Sequence, residues 1–351
     1  MAIRPDIHVY KENVTMNNTA IPGMASSIAV VGAFNSEVSD VTVVSSKESA
    51  HAIFGTTETV GDFKGTDAID GLFYGASNLI IVNITTWSDD DTPVPSTTIT
   101  NEKLTSALAK LKHEVFDILY VADELADASQ ALVTNWLDEQ LEDKFAHGQV
   151  AQLQKSTAAA YTESIATFND QIYWITTQGY NSLSLNESAA LMAGYIASLR
   201  VNQSLTSKVI PIVSSVTPEY TTESGDIGAK LLELSVPFIE VRNRASSRYI
   251  CVNSELPNKL DLYINRVRDY VINRLEAELI LGESSSERTI ETAQSIAESV
   301  KKECVDDLNL LKDIEYHIEK VSAKVVKIAL DALVFDDVII RVDIPFSIRV
   351  E

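Results

Sequence analysis

Apolar runs alternate with amphipathic segments along the first two thirds of the chain, and this pattern predicts an α/β fold. Continuous apolar runs are typical of strands buried on both faces, whereas the segments between them carry apolar residues three or four positions apart, as helices do. We therefore predict a mostly parallel sheet with helices packed against it. The predicted strands are Ser27–Phe34, Val41–Val44, Asn78–Thr85, Phe116–Val121, Gln149–Leu153 and Gln171–Thr176, and the predicted helices are Lys47–Phe54, Thr66–Gly75, Asn101–His113, Ala128–Phe145, Ala158–Phe168 and Asn186–Arg200.

The last third of the chain has a different pattern, which predicts two long helices followed by three strands. Pro257 precedes the first helix and Gly282 follows it, as is usual for residues at helix ends. The predicted helices are Asn258–Leu281 and Glu287–Leu311, and the predicted strands are Ile314–Val321, Val325–Leu330 and Val338–Val350.

The final predicted strand is the most informative segment, because every second residue in it is apolar. The apolar positions are Val338, Ile340, Val342, Ile344, Phe346, Ile348 and Val350. A period of two predicts a long strand with one buried face. Pro345 cannot donate to a strand ladder and therefore marks an edge or a break. Such a strand either docks on its own sheet or pairs with a neighbouring subunit by strand addition.

Changes of pattern also predict the domain organisation. The first residues form an arm in which Ile7 and Val9 alternate with polar neighbours, and residues 87–100 are polar, with two prolines and three aspartates. The predicted fold class is α/β (α+β), with mixed sheets, packed helices, and extended N- and C-terminal β-arms for inter-subunit strand addition. The predicted units are an arm (1–20), a first α/β segment (21–86), a linker or surface loop (87–100), a middle α/β domain (101–245) and a C-terminal domain (246–351) that ends in a β-arm from about residue 338.

The charge and composition of the chain limit the kinds of molecule that it is expected to bind. The 351 residues carry a formal net charge of −22, and residues 1–200 contain 10 Lys/Arg against 25 Asp/Glu, which disfavours nucleic-acid binding. The first ten residues predict no secretory signal, and no apolar run is long enough to span a bilayer. Arginines cluster in the last third, where they either form solvated surfaces or face an acidic protein surface. The clustered residues are Arg242, Arg244, Arg248, Arg266, Arg268 and Arg274.

The sequence carries no motif that predicts catalysis or cofactor binding. The glycines form neither a dinucleotide fingerprint nor a phosphate-binding loop, and no nucleophile elbow is present. The five histidines are scattered, and Cys251 and Cys304 are too few for a four-thiolate zinc site. We therefore predict no catalytic residue, no cofactor and no metal site, and interpret both cysteines as core residues.

The order of short motifs resembles that of the contractile tail sheath proteins of myovirus-type phages and related injection systems. A Pro-Gly turn follows the arm, a strand with a small-residue end comes next, and a Phe-Gly pair closes a short helix. An Ala-Gly-x-x-Ala helix and two long helices before terminal strands complete the resemblance. The segments that carry it are Pro22-Gly23, Ile28–Phe34, Val41–Ser46, Phe54-Gly55, Ala68–Tyr74, Leu79–Ile84 and Ala193–Ala197.

This resemblance implies a structural subunit rather than an enzyme. Sheath subunits stack as hexameric rings around an inner tail tube, and they meet baseplate and terminator proteins at the ends. Strand addition by the terminal arms links them, and contraction from a metastable state leads to genome ejection. The implied location is the virion tail, after assembly in the host cytoplasm, with no direct nucleic-acid contact and no membrane insertion.

The resemblance also selects the residues expected to make these contacts. The arm residues are Ile7, Val9, Val338, Ile340, Val342, Ile344, Phe346 and Ile348, and the residues expected to face the tube or an adjacent subunit are Arg266, Arg268 and Arg274. Two alternatives stay open from the residues alone. They are another self-assembling protein, such as a tube, capsid or surface-layer subunit, and an α/β enzyme without a recognisable motif.

Overall fold

A computed structural model describes most of the chain. The described residues are 27–56, 62–88, 95–112, 114–143, 145–223, 227–242, 248–281, 290–322, 325–336 and 338–349. Among them, no helix combines the length and the apolar character needed to cross a membrane.

Strands and helices alternate through the first part of the described chain, as the pattern predicts. The strands are β1 (Ser27–Gly32), β2 (Thr42–Val44), β3 (Asn78–Asn83), β4 (Thr86–Trp87), β5 (Pro95–Ser96), β6 (Ile118–Val121), β7 (Gly148–Gln152), β8 (Ile172–Thr176), β9 (Gly179–Tyr180), β10 (Val216–Thr217), β11 (Ile239–Arg242), β12 (Arg248–Cys251), β13 (Asp313–Ser322), β14 (Val325–Val334) and β15 (Ile339–Arg349). The helices are α1 (Lys47–Phe54), α2 (Lys64–Leu72), α3 (Asn101–Leu111), α4 (Asp127–Glu142), α5 (Ala158–Ile165), α6 (Leu185–Ala197), α7 (Ile227–Glu233), α8 (Leu262–Leu281) and α9 (Ile290–Lys302).

The main sheet has six strands in the order β2-β3-β1-β6-β7-β8. Five of them are parallel, and only β2 runs antiparallel, at one edge. All residues of β1, β6, β7 and β8 are buried, because helices cover both faces of a parallel sheet. The predicted α/β class with mixed sheets is confirmed.

The predicted linker at 87–100 does not separate two sheets. Strand β1, before it, pairs directly with β6, after it, with Ile28 opposite Ile118. Trp87 in β4 and Pro95 in β5, both within this segment, pair in a short antiparallel ladder. The first α/β segment and the middle domain therefore share one sheet. The predicted units were divided by position along the chain, and such a division cannot show which strands pair.

Helices α2 and α6 pack at nearly backbone-to-backbone distance on one face of this sheet. A Cβ atom added at Gly71 would lie 2.6 Å from the backbone nitrogen of Leu191, and one added at Gly194 would lie 2.7 Å from the carbonyl oxygen of Leu72. Real Cβ atoms do not approach backbone atoms so closely, so both positions require glycine. The Ala-Gly-x-x-Ala motif of α6 thus sets the spacing of two helices in the core.

Helix α8 begins four residues later than the sequence pattern predicts. Lys259 has a positive φ of 64°, and the Asp261 carboxylate accepts a hydrogen bond from the Tyr263 backbone N–H at 3.1 Å. The same carboxylate accepts hydrogen bonds from the hydroxyls of Ser204 and Ser254. Asp261 therefore fixes the start of the helix against two loops, one after α6 and one after β12.

The second long helix is interrupted near its end. After α9 the chain forms a five-residue π-helical turn, Glu303–Asp307, which contains the buried Cys304. Tyr270 and Arg274 of α8 both bind the Glu303 carboxylate, Arg274 at 2.8 Å. This pair of contacts holds the turn against α8 and lets the chain turn toward β13.

Candidate assembly interface

The three terminal strands form a separate antiparallel sheet in the order β13-β14-β15. Its inner face packs on α8 and α9 and forms a core of its own, which includes Ile328, Leu330 and Phe346. These three side chains are at most 1 % exposed. Burial of apolar side chains of this size stabilises the sheet by about 1.5–3 kcal/mol each.

Strand β15 pairs with β14 of its own chain, which is the first of the two alternatives left open by the sequence. It is an edge strand, because β14 is its one neighbour among the described strands. Ile340, Val342 and Ile344 point toward the core but are only partly buried. A sheet that ends at β15 therefore leaves its apolar inner face incompletely covered along that edge.

The other predicted arm residues lie in different parts of the structure. Val338 lies just before β15 and packs against the same core, whereas Phe346 belongs to it fully. Ile348 lies in β15 opposite Val326. Ile7 and Val9 fall outside the described residues. Pairing of any of these residues with another copy stays a prediction.

Both ladders of the terminal sheet shift register at Asp331. Leu330 faces Ile344, but Ala332 faces Arg341, so β15 carries one extra residue at this point. On the other side, the Asp331 carboxylate lies 2.8 Å from Nδ1 of His317 in β13. The irregularity keeps Leu330 and Leu333 both on the inner face, although they are three residues apart.

The structure places Arg268 inside the protein rather than on a basic surface. Its side chain is 9 % exposed, and its Nε atom lies 2.8 Å from the Asp269 carboxylate. Its guanidinium also donates to the Gln171 side chain at 3.1 Å, just before β8. Burial lowers the pKa of Arg268, but the neighbouring Asp269 carboxylate raises it above its ordinary value.

Arg266 and Arg274 also bind partners within the chain. Arg266 donates to the backbone carbonyls of Leu199 and Arg200, at 3.2 and 2.9 Å. Arg274 bridges Glu278 and Glu303, at 2.7 and 2.8 Å. The three arginines therefore do not present a common exposed face, and contact with a tube stays a prediction that must compete with these internal partners.

Polar side chains of α8 dock the helix on the amino ends of the main-sheet strands. The Asn273 side chain bonds both the backbone N–H and the carbonyl of Ala146, each at 2.8 Å, as a neighbouring strand would. Beside this contact, Asp117, Tyr173 and Arg266 line a cavity of about 20 Å³. Burial raises the pKa of Asp117 to about 7, although the Arg266 charge opposes this shift. A buried polar network thus joins α8, and the terminal sheet that packs on it, to the main sheet.

Burial of His147, next to this network, is expected to contribute a loss of folding stability in acid, which opposes the contribution of Asp117. The His147 ring stacks on Phe116 at 3.9 Å, and burial lowers its pKa to about 4 although its hydrogen bond to the Phe116 carbonyl opposes this. The folded state thus binds fewer protons than the unfolded state below pH 6.5, so this contribution to stability falls as pH falls. Between pH 7.5 and 5 the loss is about 2 kcal/mol.

Denaturant unfolding at pH 7.5 and 5 measures this effect. The His147→Gln variant should lose less stability than the parent protein on acidification. Asp117→Asn should have the opposite effect, because the raised pKa of Asp117 stabilises the folded state as pH falls from about 7 toward 4. Identical pH dependence in all three proteins would contradict the prediction.

The carboxyl edge of the main sheet, where α/β folds usually bind ligands, is filled by the chain itself. The Lys64 ammonium lies 2.6 Å from the Asp123 carboxylate, across the ends of β1 and β6. Asn186 donates to the Lys64 carbonyl at 2.8 Å and accepts from the Tyr120 hydroxyl at 2.8 Å. In the part of the chain that the structure describes, no three His, Cys, Asp or Glu side chains are grouped as a metal site would need.

Residues 97–245 match the family model of the phage tail sheath protein central domain. The chain contains a phage tail sheath domain. The predicted resemblance is confirmed, and so is the prediction that the protein is not an enzyme, because this family is structural. No curated protein sequence matches the chain.

Solved structures of sheath proteins share the fold of this chain over nearly its whole length. A sheath tail protein from Desulfitobacterium hafniense is 12 % identical, with a TM-score of 0.69 over 93 % of this chain and 96 % of its own. One from Listeria innocua is 10 % identical, with a TM-score of 0.66 over 98 % and 99 %. The helical sheath of the anti-feeding prophage, in its contracted state, is 14 % identical, with a TM-score of 0.58 over 93 % and 90 %. The family match and the fold together support a contractile sheath role.

Sequence reasoning missed the residues that dock α8 on the sheet. Asn265, Asp269 and Asn273 follow one another at a spacing of four, a helical period, and Asn265 and Asp269 are buried. A polar residue repeated on an otherwise apolar helix face is a signal of a buried polar contact. The sequence offers no comparable signal for Asp117.

Proposed function

We propose that this sheath protein polymerises as stacked hexameric rings around an inner tail tube and contracts to drive the tube through a cell envelope. The family match of residues 97–245 supports a sheath subunit. The likeness to a sheath in its contracted state supports the same class of machine. Its further partners in this proposal are the inner tube, baseplate and terminator proteins, and its location is the tail.

One observation supports the way the subunits are linked. Strand β15 leaves an open edge, and Ile340, Val342 and Ile344 beside it are incompletely covered. A segment from another copy, either its N-terminal residues around Ile7 and Val9 or its own terminal strand, would complete this sheet. About five backbone hydrogen bonds at ~1 kcal/mol each would hold such a link, before side-chain burial is counted.

Such links allow the folded bodies of neighbouring subunits to reorient while the subunits stay connected to one another. Contraction requires two packings of the same subunit with different interface free energies, and the strand links persist through both. The energy is stored at assembly, so no nucleotide is required. This agrees with the carboxyl edge of the main sheet, which the chain's own Lys64, Asp123 and Asn186 occupy.

Truncation tests the link. Removal of residues 338–351 deletes β15 and should abolish polymerisation, as seen by negative-stain microscopy and sedimentation. Because Phe346 is a core residue, this truncation can also unfold the terminal sheet. The milder Val342→Thr/Ile344→Thr variant changes only partly buried side chains, so it should remain folded and polymerise less.

The outer-face variant Arg341→Ala is the matched control, since Arg341 is exposed and faces Ala332. Normal cylinders from the truncated protein would overturn the strand link. Cylinders of one length only, under all conditions, would favour a non-contractile assembly instead. The proposed function requires an extended and a shortened form.

A further inference from the structure

The cavity between α8 and the amino ends of β6 and β8 has room for one water molecule. Its volume of about 20 Å³ exceeds the roughly 10–15 Å³ that a single water needs. Its wall is largely buried, since Tyr173, Val201 and Asp269 are at most 4 % exposed. The polar and charged residues that line it are Asp117, Tyr173, Arg266, Asp269, Tyr270 and Asn273.

Four of these polar side chains are held in place by partners within the chain. The Tyr173 hydroxyl donates to the Asp269 carboxylate at 2.9 Å. The Tyr270 hydroxyl and the Asn273 amide are bonded to groups outside the cavity. These contacts fix the shape of the cavity, so a ligand would enter a site that is already formed.

The other two side chains, Asp117 and Arg266, carry opposite charges but do not form a direct ion pair. Burial raises the pKa of Asp117 and the Arg266 charge opposes this shift, so the two groups are close enough to interact. Both are described residues, and none of the nitrogen–oxygen distances between them is 4.0 Å or shorter. Polar groups that face each other across more than about 3.5 Å are often bridged by water.

The charges around the cavity balance, so the cavity favours a neutral ligand. The Asp269 carboxylate is paired with Arg268 at 2.8 Å, and Asp117 faces Arg266. An ion would add an uncompensated charge at a buried position, which is costly. A water molecule is neutral, and it can donate to a carboxylate while it accepts from a guanidinium.

Arg266 also connects this cavity to a third element of the fold. Its guanidinium donates to the backbone carbonyls of Leu199 and Arg200, just after α6, at 3.2 and 2.9 Å. A guanidinium carries five N–H donors, so it can bind these carbonyls and a water at the same time. The cavity therefore lies where β6, α6 and α8 meet.

We propose that one water molecule binds in this cavity and bridges the Asp117 carboxylate and the Arg266 guanidinium. The water accepts a hydrogen bond from Arg266 and donates one to Asp117. The Tyr173 hydroxyl oxygen, whose own proton goes to Asp269, accepts the second proton of the water. This gives the water about three hydrogen bonds, the usual number for a buried water. The site belongs to the folded subunit and does not depend on the proposed assembly into a sheath.

A structure of the full-length protein, at a resolution that shows ordered waters, tests the site directly. We expect one water within hydrogen-bond distance of both the Asp117 carboxylate and the Arg266 guanidinium. A direct hydrogen bond between these two side chains would overturn the inference, and so would a cavity without an ordered water.

Oxygen-17 relaxation dispersion of the solvent tests the same site in solution, because it counts the long-lived internal waters of a protein. Val201→Ile adds one carbon to the wall of the cavity, and it should lose one long-lived water. Asp117→Leu removes the charged acceptor and should lose the same water. Asp117→Asn should keep it, because an amide also binds water.

Val133→Ile is the matched control, because it adds the same carbon at a buried valine of α4 that does not line the cavity. It should keep every long-lived water of the parent protein. An unchanged number of long-lived waters in both Val201→Ile and Asp117→Leu would overturn the inference. If either variant fails to fold, the structure of the parent protein still decides between a bridging water and a direct ion pair.

Discussion

The Gly194→Val variant is expected to lose about 3 kcal/mol or more of folding free energy. The added side chain would have to occupy space taken by the backbone carbonyls of Gly71 and Leu72 in the facing helix, and backbone atoms cannot move aside as a side-chain end can. Helix α2 would be pushed from α6, and the core on this face of the main sheet would open. Denaturant-induced unfolding measures the loss.

The Gly194→Ala variant is the most sensitive test of the close approach between α2 and α6. In an ordinary helix interior, alanine is more favourable than glycine by about 0.8–1 kcal/mol. Here we expect destabilisation, because even one Cβ atom meets the backbone of α2. Asn135→Ala, at an exposed position of α4, is the control and should be neutral or slightly stabilising. Stabilisation by Gly194→Ala would refute the close packing.

The Asp269→Ala variant should lose about 3–5 kcal/mol of folding free energy. It leaves the Arg268 guanidinium buried without its carboxylate partner, and removes the acceptor of the Tyr173 hydroxyl, which lies 2.9 Å from Asp269. Because these contacts dock α8 on β8, α8 and the terminal sheet that packs on it should detach from the main sheet first. Hydrogen exchange in α8 should therefore rise more than in β1.

The double variant Arg268→Met/Asp269→Leu is the matched comparison. Replacing both members of a buried ion pair by apolar residues is often nearly neutral, so it should retain most of the stability. If Arg268 instead contacted a tube, Arg268→Met alone would leave the free subunit stable and impair only assembly. Unchanged stability of Asp269→Ala would refute the internal role of the pair.

The sequence was sufficient to predict the elements whose apolar pattern is clear, whether it is continuous or alternating. Ser27–Gly32 and Ile118–Val121 are continuous apolar runs, and both are buried strands of a parallel sheet. Ile339–Arg349 alternates apolar and polar residues, and it is a strand with an inner and an outer face. In these cases local periodicity and burial specify the same structure.

The pairing of strands that are distant along the chain could not be predicted from the sequence. The pairing of β1 with β6, across the segment predicted to be a linker, depends on a crossover that no local signal encodes. The arginines of α8 show a second limit, because a long side chain on a helix can turn toward solvent or toward the core. Arg268 turns inward because Asp269 and Gln171 meet it there, and neither partner can be identified from spacing.

The broken register at Asp331 has a consequence for which molecules can share one polymer. In the proposed strand link, a strand that pairs with the free edge of β15 must match the extra residue that β15 carries near the step between Leu330 and Ala332 of β14. A foreign strand without it would turn its apolar side chains to water beyond that step, because a slip of one residue inverts the faces. Two kinds of sheath made in the same cell would therefore sort into separate cylinders.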